Sequence, residues 1–267
     1  MKYGIIIRNV TDLRRRPNPF SERKSQLLYN EPITITSART DYYHVFQNDK
    51  YDGWIDQRAV FLMPQRRLKE YISRLNYIIQ SATLRINKKS RPPGICPPFL
   101  FYGTRLHVSA VRRGSARIEL SDQTTTTASS RSISALDVKY KSPLLWRRFI
   151  VKSALKFLGV PYLWGGTTPF GCDCSGLVKM VYRNAGIYLP RDSKDQRRFG
   201  SRIDPDNLTA ADLLFFKGHV AIAVNKKIFI HSSLAEGGTA LNSIHVNQPL
   251  YRKDLAKTFI EARRLIS

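Results

Sequence analysis

One cysteine and two histidines carry the chemistry this chain could perform. Cys174 lies in Asp173-Cys174-Ser175-Gly176, directly after the turn-rich Gly165-Gly166-Thr167-Thr168-Pro169-Phe170-Gly171 and directly before a run with helical apolar spacing. A thiol there sits at the positive end of a helix, among N–H groups with no intrahelical partner, which favours its thiolate form. For a lone cysteine the ordinary alternative is a small buried residue that packs the helix start. Histidine shifts that balance. Of the five histidines, three follow Cys174; His219 opens one strand-like run and His231 closes the next. Asn225-Lys226-Lys227 between those runs has hairpin length, so the two imidazoles can approach each other across paired strands. A nucleophile, a base and a group that orients the base are the parts needed for acyl transfer through a covalent intermediate.

The elements that must position this set read as an α+β domain. Pro143 opens a helix whose apolar stripe is Leu144, Leu145, Phe149, Ala154, Leu155 and Leu158, ending at Gly159 before Pro161. A second helix runs from Cys174 to Ala185, with Leu177, Val178, Val181, Tyr182 and Ala185 on one side, and stops at Gly186. Strands follow over residues 213–216, 219–224, 228–231 and 259–266, so helices come first and a mostly antiparallel sheet afterwards. Upstream, residues 1–64 alternate short apolar clusters (Leu27 and Leu28, Ile33 and Ile35, Val45 and Phe46, Trp54 and Ile55) with turn residues at Asn30-Glu31-Pro32, Asp41 and Asp52-Gly53, the pattern of a small β-barrel. Leu68, Tyr71, Ile72, Leu75, Ile78 and Ile79 keep helical spacing, marking residues 65–81 as a linker with helical periodicity. From residue 82 the strand pattern returns, interrupted by Pro92, Pro93, Pro97 and Pro98, as a second small barrel reaching residue 140. The Ser- and Thr-rich residues 121–134 read as a surface loop or edge excursion outside the core.

Composition bounds the function. With 267 residues and 42% hydrophobic residues the chain builds packed domains and does not stay disordered. Its charge of +24 points to an acidic partner, and the basic excess is spread over both halves, as on a folded surface, without a detachable nucleic-acid-binding arm. Cys96, Cys172 and Cys174 are too few for a disulfide framework, which suits a reducing compartment. The first ten residues carry no secretory apolar run, and no stretch approaches the roughly 18 apolar residues of a membrane span. These features lead to the expectation of a cytoplasmic protein, with nonclassical export left open.

Six blocks, in order over about 120 residues, resemble the NlpC/p60 cysteine peptidases of bacterial cell-wall peptides: Gly159-Val160-Pro161-Tyr162-Leu163-Trp164-Gly165-Gly166, Asp173-Cys174-Ser175-Gly176-Leu177-Val178, Leu189-Pro190-Arg191-Asp192-Ser193, Asp212-Leu213-Leu214-Phe215-Phe216, His219-Val220-Ala221-Ile222 and Ile230-His231-Ser232-Ser233. Together they are far more specific than the Asp-Cys-Ser-Gly tetrapeptide alone. Val10-Thr11-Asp12-Leu13-Arg14, Gln26-Leu27-Leu28-Tyr29 and Gly53-Trp54-Ile55 resemble a bacterial SH3 domain, with residues 82–140 as a divergent second copy. The resemblance implies two small SH3-like β-barrels followed, over residues 141–267, by a papain-like catalytic domain. In that domain Cys174 attacks, His219 acts as general base and then acid, and His231 orients it. It further implies that the Tyr162 hydroxyl positions the thiol or the oxyanion, that the Cys174 N–H donates to the oxyanion, and that neither metal nor cofactor is needed. The implied reaction is hydrolysis of the amide between the γ-carboxyl of D-glutamate and a diamino acid such as meso-diaminopimelate, in peptidoglycan stem peptides.

Around this set, Trp164 is expected to form a wall, and Arg191, Asp173 and Ser175 to lie on the substrate side. Ser193, three residues before Gln196, forms a capping box by sequence. The resemblance offers Asp192 and Ser193 a second role, holding the free ammonium of an N-terminal L-alanine, and cap and ligand contact can coexist. Two departures stand out: Cys172 fills a position that usually holds a large apolar side chain and reads as buried filler, and Ala211 replaces the glycine usual before Asp212. The rival reading is a noncatalytic peptidoglycan- or nucleic-acid-binding protein that uses the basic barrels; its sequence support is charge alone. A monomeric enzyme acting on stem peptides or muropeptides, without nucleic acid, is the expectation.

Overall fold

The computed structural model describes residues 1–92, 94–136 and 142–266. Pro93 and the expected boundary at residues 140 and 141 lie outside the described residues. The chain divides into two compact units, residues 1–138 and 139–267.

The first unit opens with a seven-stranded antiparallel sheet. Its strands are β1 (Lys2–Ile6), β2 (Val10–Arg14), β3 (Arg23–Leu28), β4 (Pro32–Arg39), β5 (Tyr42–Phe46), β6 (Asp52–Asp56) and β7 (Val60–Leu62), in the order β3-β2-β6-β5-β4-β1-β7. Ile6, Leu13, Leu27, Ile33, Ile35, Val45 and Ile55 form its core, drawn from the clusters that alternate in the sequence. Asn30 takes the left-handed conformation (φ 65°) at the turn it marks. Asp52-Gly53 does not make a turn. It lies inside β6, and a Cβ on Gly53 would come within 2.8 Å of the Arg14 carbonyl oxygen, so glycine is there for close strand approach.

Helix α1 (Gln65–Ser73) is shorter than its periodicity predicts. Leu68, Tyr71 and Leu75 pack with Ile5 and Met63, while Ile78 and Ile79 belong to a strand, β8 (Tyr77–Ile79). Asn76 causes the change: its amide donates to the Val108 carbonyl at 3.0 Å and accepts from the Val108 N–H at 2.8 Å. Docking on a neighbouring strand thus overrides a spacing that a longer helix would also satisfy. The remaining strands are β9 (Thr83–Arg85), β10 (Phe99–Phe101), β11 (Arg105–Arg112), β12 (Ser115–Glu119), β13 (Thr125–Ser129) and β14 (Ile133–Ala135). They form a five-stranded sheet, β13-β12-β11-β8-β14, with β9 and β10 as a separate pair. The Thr-rich segment is the edge strand β13, but it is not outside the core: Thr126 and Ala128 are buried.

The second unit carries α2 (Pro143–Leu155), the ribbon β15 (Thr167–Thr168) and β16 (Gly171–Cys172), α3 (Cys174–Asn184) and the short α4 (Ser193–Gln196). These precede β17 (Ser201–Ile203), β18 (Leu213–Phe216), β19 (His219–Ala223), β20 (Phe229–Ser233), β21 (Gly238–Asn242), α5 (Lys253–Thr258) and β22 (Phe259–Arg264). The six strands form an antiparallel sheet, β17-β22-β18-β19-β20-β21, and α3 packs on β19 and β20. α2 buries Ile150, Ser153 and Ala154, continued by Phe157, whereas Leu144, Leu145 and Leu158 of the expected stripe are exposed. The helix carries two overlapping apolar faces, and periodicity alone does not say which one turns inward.

Among the described residues, no helix is long and apolar enough to cross a membrane.

Candidate active site

Cys174 is the first residue of α3, and the turn before it is built by close backbone approach. A Cβ on Gly176 would lie 2.1 Å from the Gly166 carbonyl oxygen, and one on Gly166 would lie 2.6 Å from that of Gly171. The helix start can therefore sit against the Gly165-Gly166 turn only because both positions lack side chains. Asp173 caps the helix, its Oδ1 accepting from the Gly176 N–H at 2.7 Å and its Oδ2 from the Gly165 N–H at 2.9 Å. Arg191, only 2% exposed, clamps the same carboxylate: Nη2 reaches Oδ2 at 2.5 Å, and Nη1 reaches Oδ1 at 3.1 Å and Ser175 Oγ at 2.7 Å. Asp173, Ser175 and Arg191 are thus tied to one another and to the turn, and they brace the helix start that carries Cys174.

The backbone N–H groups of Val220, on β19, and of Ser175 both favour the Cys174 thiolate, and α3 packs on the strand that begins with His219. His219 Nε2 and His231 Nδ1 are 2.7 Å apart, their rings edge to face at 82°. His231 is fully buried, and its Nε2 lies 2.6 Å from Asn242 Oδ1. Asn242 escapes sequence reasoning because nothing near it in the chain marks it. It becomes visible only when β20 and β21 pair, with His231 opposite Ala240 and Asn242 two residues along on the same face.

The electrostatics differ from the expected thiolate. Burial, helped by the neighbouring Asp173 charge, pushes the Cys174 thiol up to about 11, against the opposing pull of the two N–H groups and Arg191. Burial and the adjacent His231 hold His219 down at about 3, and burial also lowers His231. The resting pair is therefore a thiol and a neutral imidazole; desolvation outweighs the helix N-terminus here. Tyr162 is half-buried, and burial together with the nearby Cys174 pushes its hydroxyl up to about 12, so it remains a proton donor at neutral pH.

Trp164 stands 61% exposed on the turn after Tyr162. Asp192 and Ser193 are half-buried at the start of α4, but the capping box is not formed: Asp192 is the N-cap, no side chain caps the helix, and Gln196 instead donates to the Ser175 and Pro190 carbonyls. Cys172 is fully buried with its sulfur 3.7 Å from Thr239 Oγ1, as expected of filler. Ala211 keeps the left-handed backbone (φ 63°) that glycine would adopt freely. Its successor, Asp212, is buried and tied to Arg147 of α2 and Arg264 of β22, a knot that joins α2 to the start of β18 and the end of β22. The basic cleft lined by Arg85, Lys88, Arg91 and Phe99 lies on the second barrel and contains none of these residues. No cluster of metal-ligating side chains occurs among the described residues.

Comparison with known proteins yields two family matches. Residues 159–260 match the NlpC/P60 family, and residues 13–60 match the bacterial dipeptidyl-peptidase Sh3 domain. The chain is 26% identical to Dipeptidyl-peptidase 6 of Lysinibacillus sphaericus over 96% of both chains. It is 27% identical to gamma-D-glutamyl-L-lysine dipeptidyl-peptidase of Bacillus cereus over 87% of this chain and 73% of that one. A crystal structure of an NlpC/P60 family protein from Bacillus cereus superposes with a TM-score of 0.82 at 21% identity, covering 99% of this chain and all of the other, which speaks to the fold.

Proposed function

We propose that this chain, which carries an NlpC/P60 domain and a bacterial dipeptidyl-peptidase SH3 domain, is a peptidoglycan hydrolase that cuts the amide between γ-D-glutamate and meso-diaminopimelate in stem peptides with a free N-terminal L-alanine. The observation that carries this reading is the hydrogen-bonded His219–His231 pair on strands packed by the helix that begins with Cys174. The names of the two relatives support the dipeptidyl-peptidase class and a γ-D-glutamyl bond to a diamino acid. In domain terms, residues 1–64 and 82–140 form the barrels and residues 141–267 the peptidase. The enzyme works as a monomer, without nucleic acid as a partner.

The mechanism follows from the resting protonation states. As the Cys174 sulfur attacks the γ-carbonyl carbon, its proton passes to His219, so charge separates only in the transition state. The oxyanion is stabilised by the Cys174 N–H at the helix start and by the Tyr162 hydroxyl. Collapse breaks the C–N bond, His219 returns the proton to the departing amine of the diamino acid, and a thioester remains. Water, deprotonated by His219, then hydrolyses the thioester and restores the thiol. Asp192 and Ser193 receive the substrate ammonium, and exposed Trp164 lines the approach. The basic surface attracts stem peptides, which carry several carboxylates.

The test is hydrolysis of L-Ala-γ-D-Glu-meso-diaminopimelate, followed by mass spectrometry. Wild type is expected to release L-Ala-D-Glu, and Cys174→Ala to release none; equal turnover by the two would sink the proposal. N-acetylation of the alanine is expected to lower kcat/KM strongly, and an unchanged value would remove the ammonium contact.

A further inference from the structure

We propose that Asn242 is a positioning residue that decides where the protons of the His219–His231 pair sit, and thereby which nitrogen of His219 is free to take a proton. The inference rests on the reading of His219 as the base for Cys174 and goes one residue further along the chain of hydrogen bonds.

The direction of that chain can be worked out from its far end. The Leu250 carbonyl can only accept, and it already receives the Ser243 N–H at 2.8 Å. The Asn242 Nδ2 amide faces the same carbonyl at 3.5 Å. Turning the amide over would set two carbonyl oxygens against each other, so Oδ1 is held toward His231. Oδ1 can only accept, hence His231 Nε2, 2.6 Å away, carries a proton. His231 is neutral, so its Nδ1 is bare. His219 Nε2, 2.7 Å from that bare nitrogen, must then be the donor, which leaves His219 Nδ1 without a proton and able to accept one from the thiol.

With the amide reversed, every step inverts. His231 Nε2 would accept, its Nδ1–H would donate to His219 Nε2, and His219 would carry its proton on Nδ1. An imidazole protonated on that nitrogen cannot take up the Cys174 proton there, although every heavy atom would be in place. Burial makes the selection firm: His231 is fully buried and Asn242 is 6% exposed, so solvent cannot readily supply the missing donor or acceptor. Two aromatic rings, Phe229 against His231 and Phe216 against His219, close the sides of the pair.

Long-range proton–nitrogen NMR of the 15N-labelled full chain near neutral pH reads the tautomers directly. Each ring is assigned by the loss of its signals in His219→Gln and His231→Gln. Wild type is expected to show both rings protonated on Nε2 only. Asn242→Asp, which keeps an acceptor and removes the amide donor, is expected to show the same pattern. Asn242→Leu is expected to populate the Nδ1–H form of His219 and to lower kcat on the tripeptide by about a hundredfold with KM changed little. A proton on His219 Nδ1 in wild type or in Asn242→Asp would overturn the proposal, as would Asn242→Leu with wild-type tautomers and wild-type kcat. The NMR result needs no substrate. If the tripeptide is not cut by wild type, the peptidase reading fails, while the assignment to Asn242 still stands or falls on the spectra.

Discussion

Asp12 in the first barrel and Asp173 in the peptidase unit both collect arginines, in different settings. Asp12 takes Arg14 Nη2 and Arg23 Nε at 2.7 Å each, with all three side chains about one-fifth to one-quarter exposed. Asp173 takes Arg191 and two backbone N–H groups with almost no exposure. Among the described residues the contrast is general: the buried polar groups of the barrel unit are the neutral Ser25, Asn30, Thr104, Ser121 and Thr126, whereas the peptidase unit also buries the charged Asp173, Arg191 and Asp212. Removing charge from water is costly unless geometry compensates for it. Such groups are concentrated where a thiol and an imidazole must be held at fixed positions.

The sharpest way to break this comparison is to remove one partner of each pair. Arg191→Ala strands a buried carboxylate behind Cys174 and is expected to lower unfolding free energy by ~3–5 kcal/mol, with loss of turnover in the fraction that remains folded. Urea denaturation with an activity assay checks both. A loss near the surface value would mean that the buried clamp is not special.

Acid is the next largest lever. His219 has a folded value of about 3, below the ordinary value of about 6.5 it regains on unfolding. Above pH 6.5 neither state takes the proton, and the group leaves stability unchanged. As pH falls from 6.5 toward 3 the unfolded chain binds a proton that the folded chain refuses. Stability should therefore fall by up to ~1.4 kcal/mol per pH unit from this group, with His231 adding in the same direction. His219→Gln should flatten that slope in urea melts taken between pH 8 and 4. Iodoacetamide alkylation of Cys174 should likewise be slow at pH 7 and climb through pH 10, following a thiol raised to about 11; a plateau at neutral pH would show a preformed ion pair.

Smaller effects separate strain from charge. Ala211→Gly relieves a left-handed backbone (φ 63°) and is expected to raise the melting temperature by an amount equivalent to ~0.5–1 kcal/mol, with activity unchanged. Arg23→Ala, at the partly exposed Asp12 cluster, is expected to cost less than ~1 kcal/mol and to lose its effect as salt rises. A large, salt-independent loss there would erase the distinction between the two units.

Much of this molecule could be read from the chain. Short apolar clusters between turn residues mark the first barrel, and turn glycines with Cys174, His219 and His231 mark a set of groups that the fold carries in one unit. Several features could not be read. Helix α1 stops at Ser73 because Asn76 docks on β11, a contact with residues some thirty positions away. The buried face of α2 is chosen by what packs against it. The inward turn of Arg191 to Ser175 and Asp173 joins residues sixteen and eighteen positions apart, so local spacing does not announce it.

What the sequence determined by itself was therefore the set of reactive groups and the order of elements that carry them, since both follow from residue type and local spacing. Tertiary structure alone decided the protonation of that set. Burial makes the thiol and imidazole neutral at rest, and strand pairing brings Asn242 to His231, because desolvation and cross-strand register depend on neighbours that are remote in the chain.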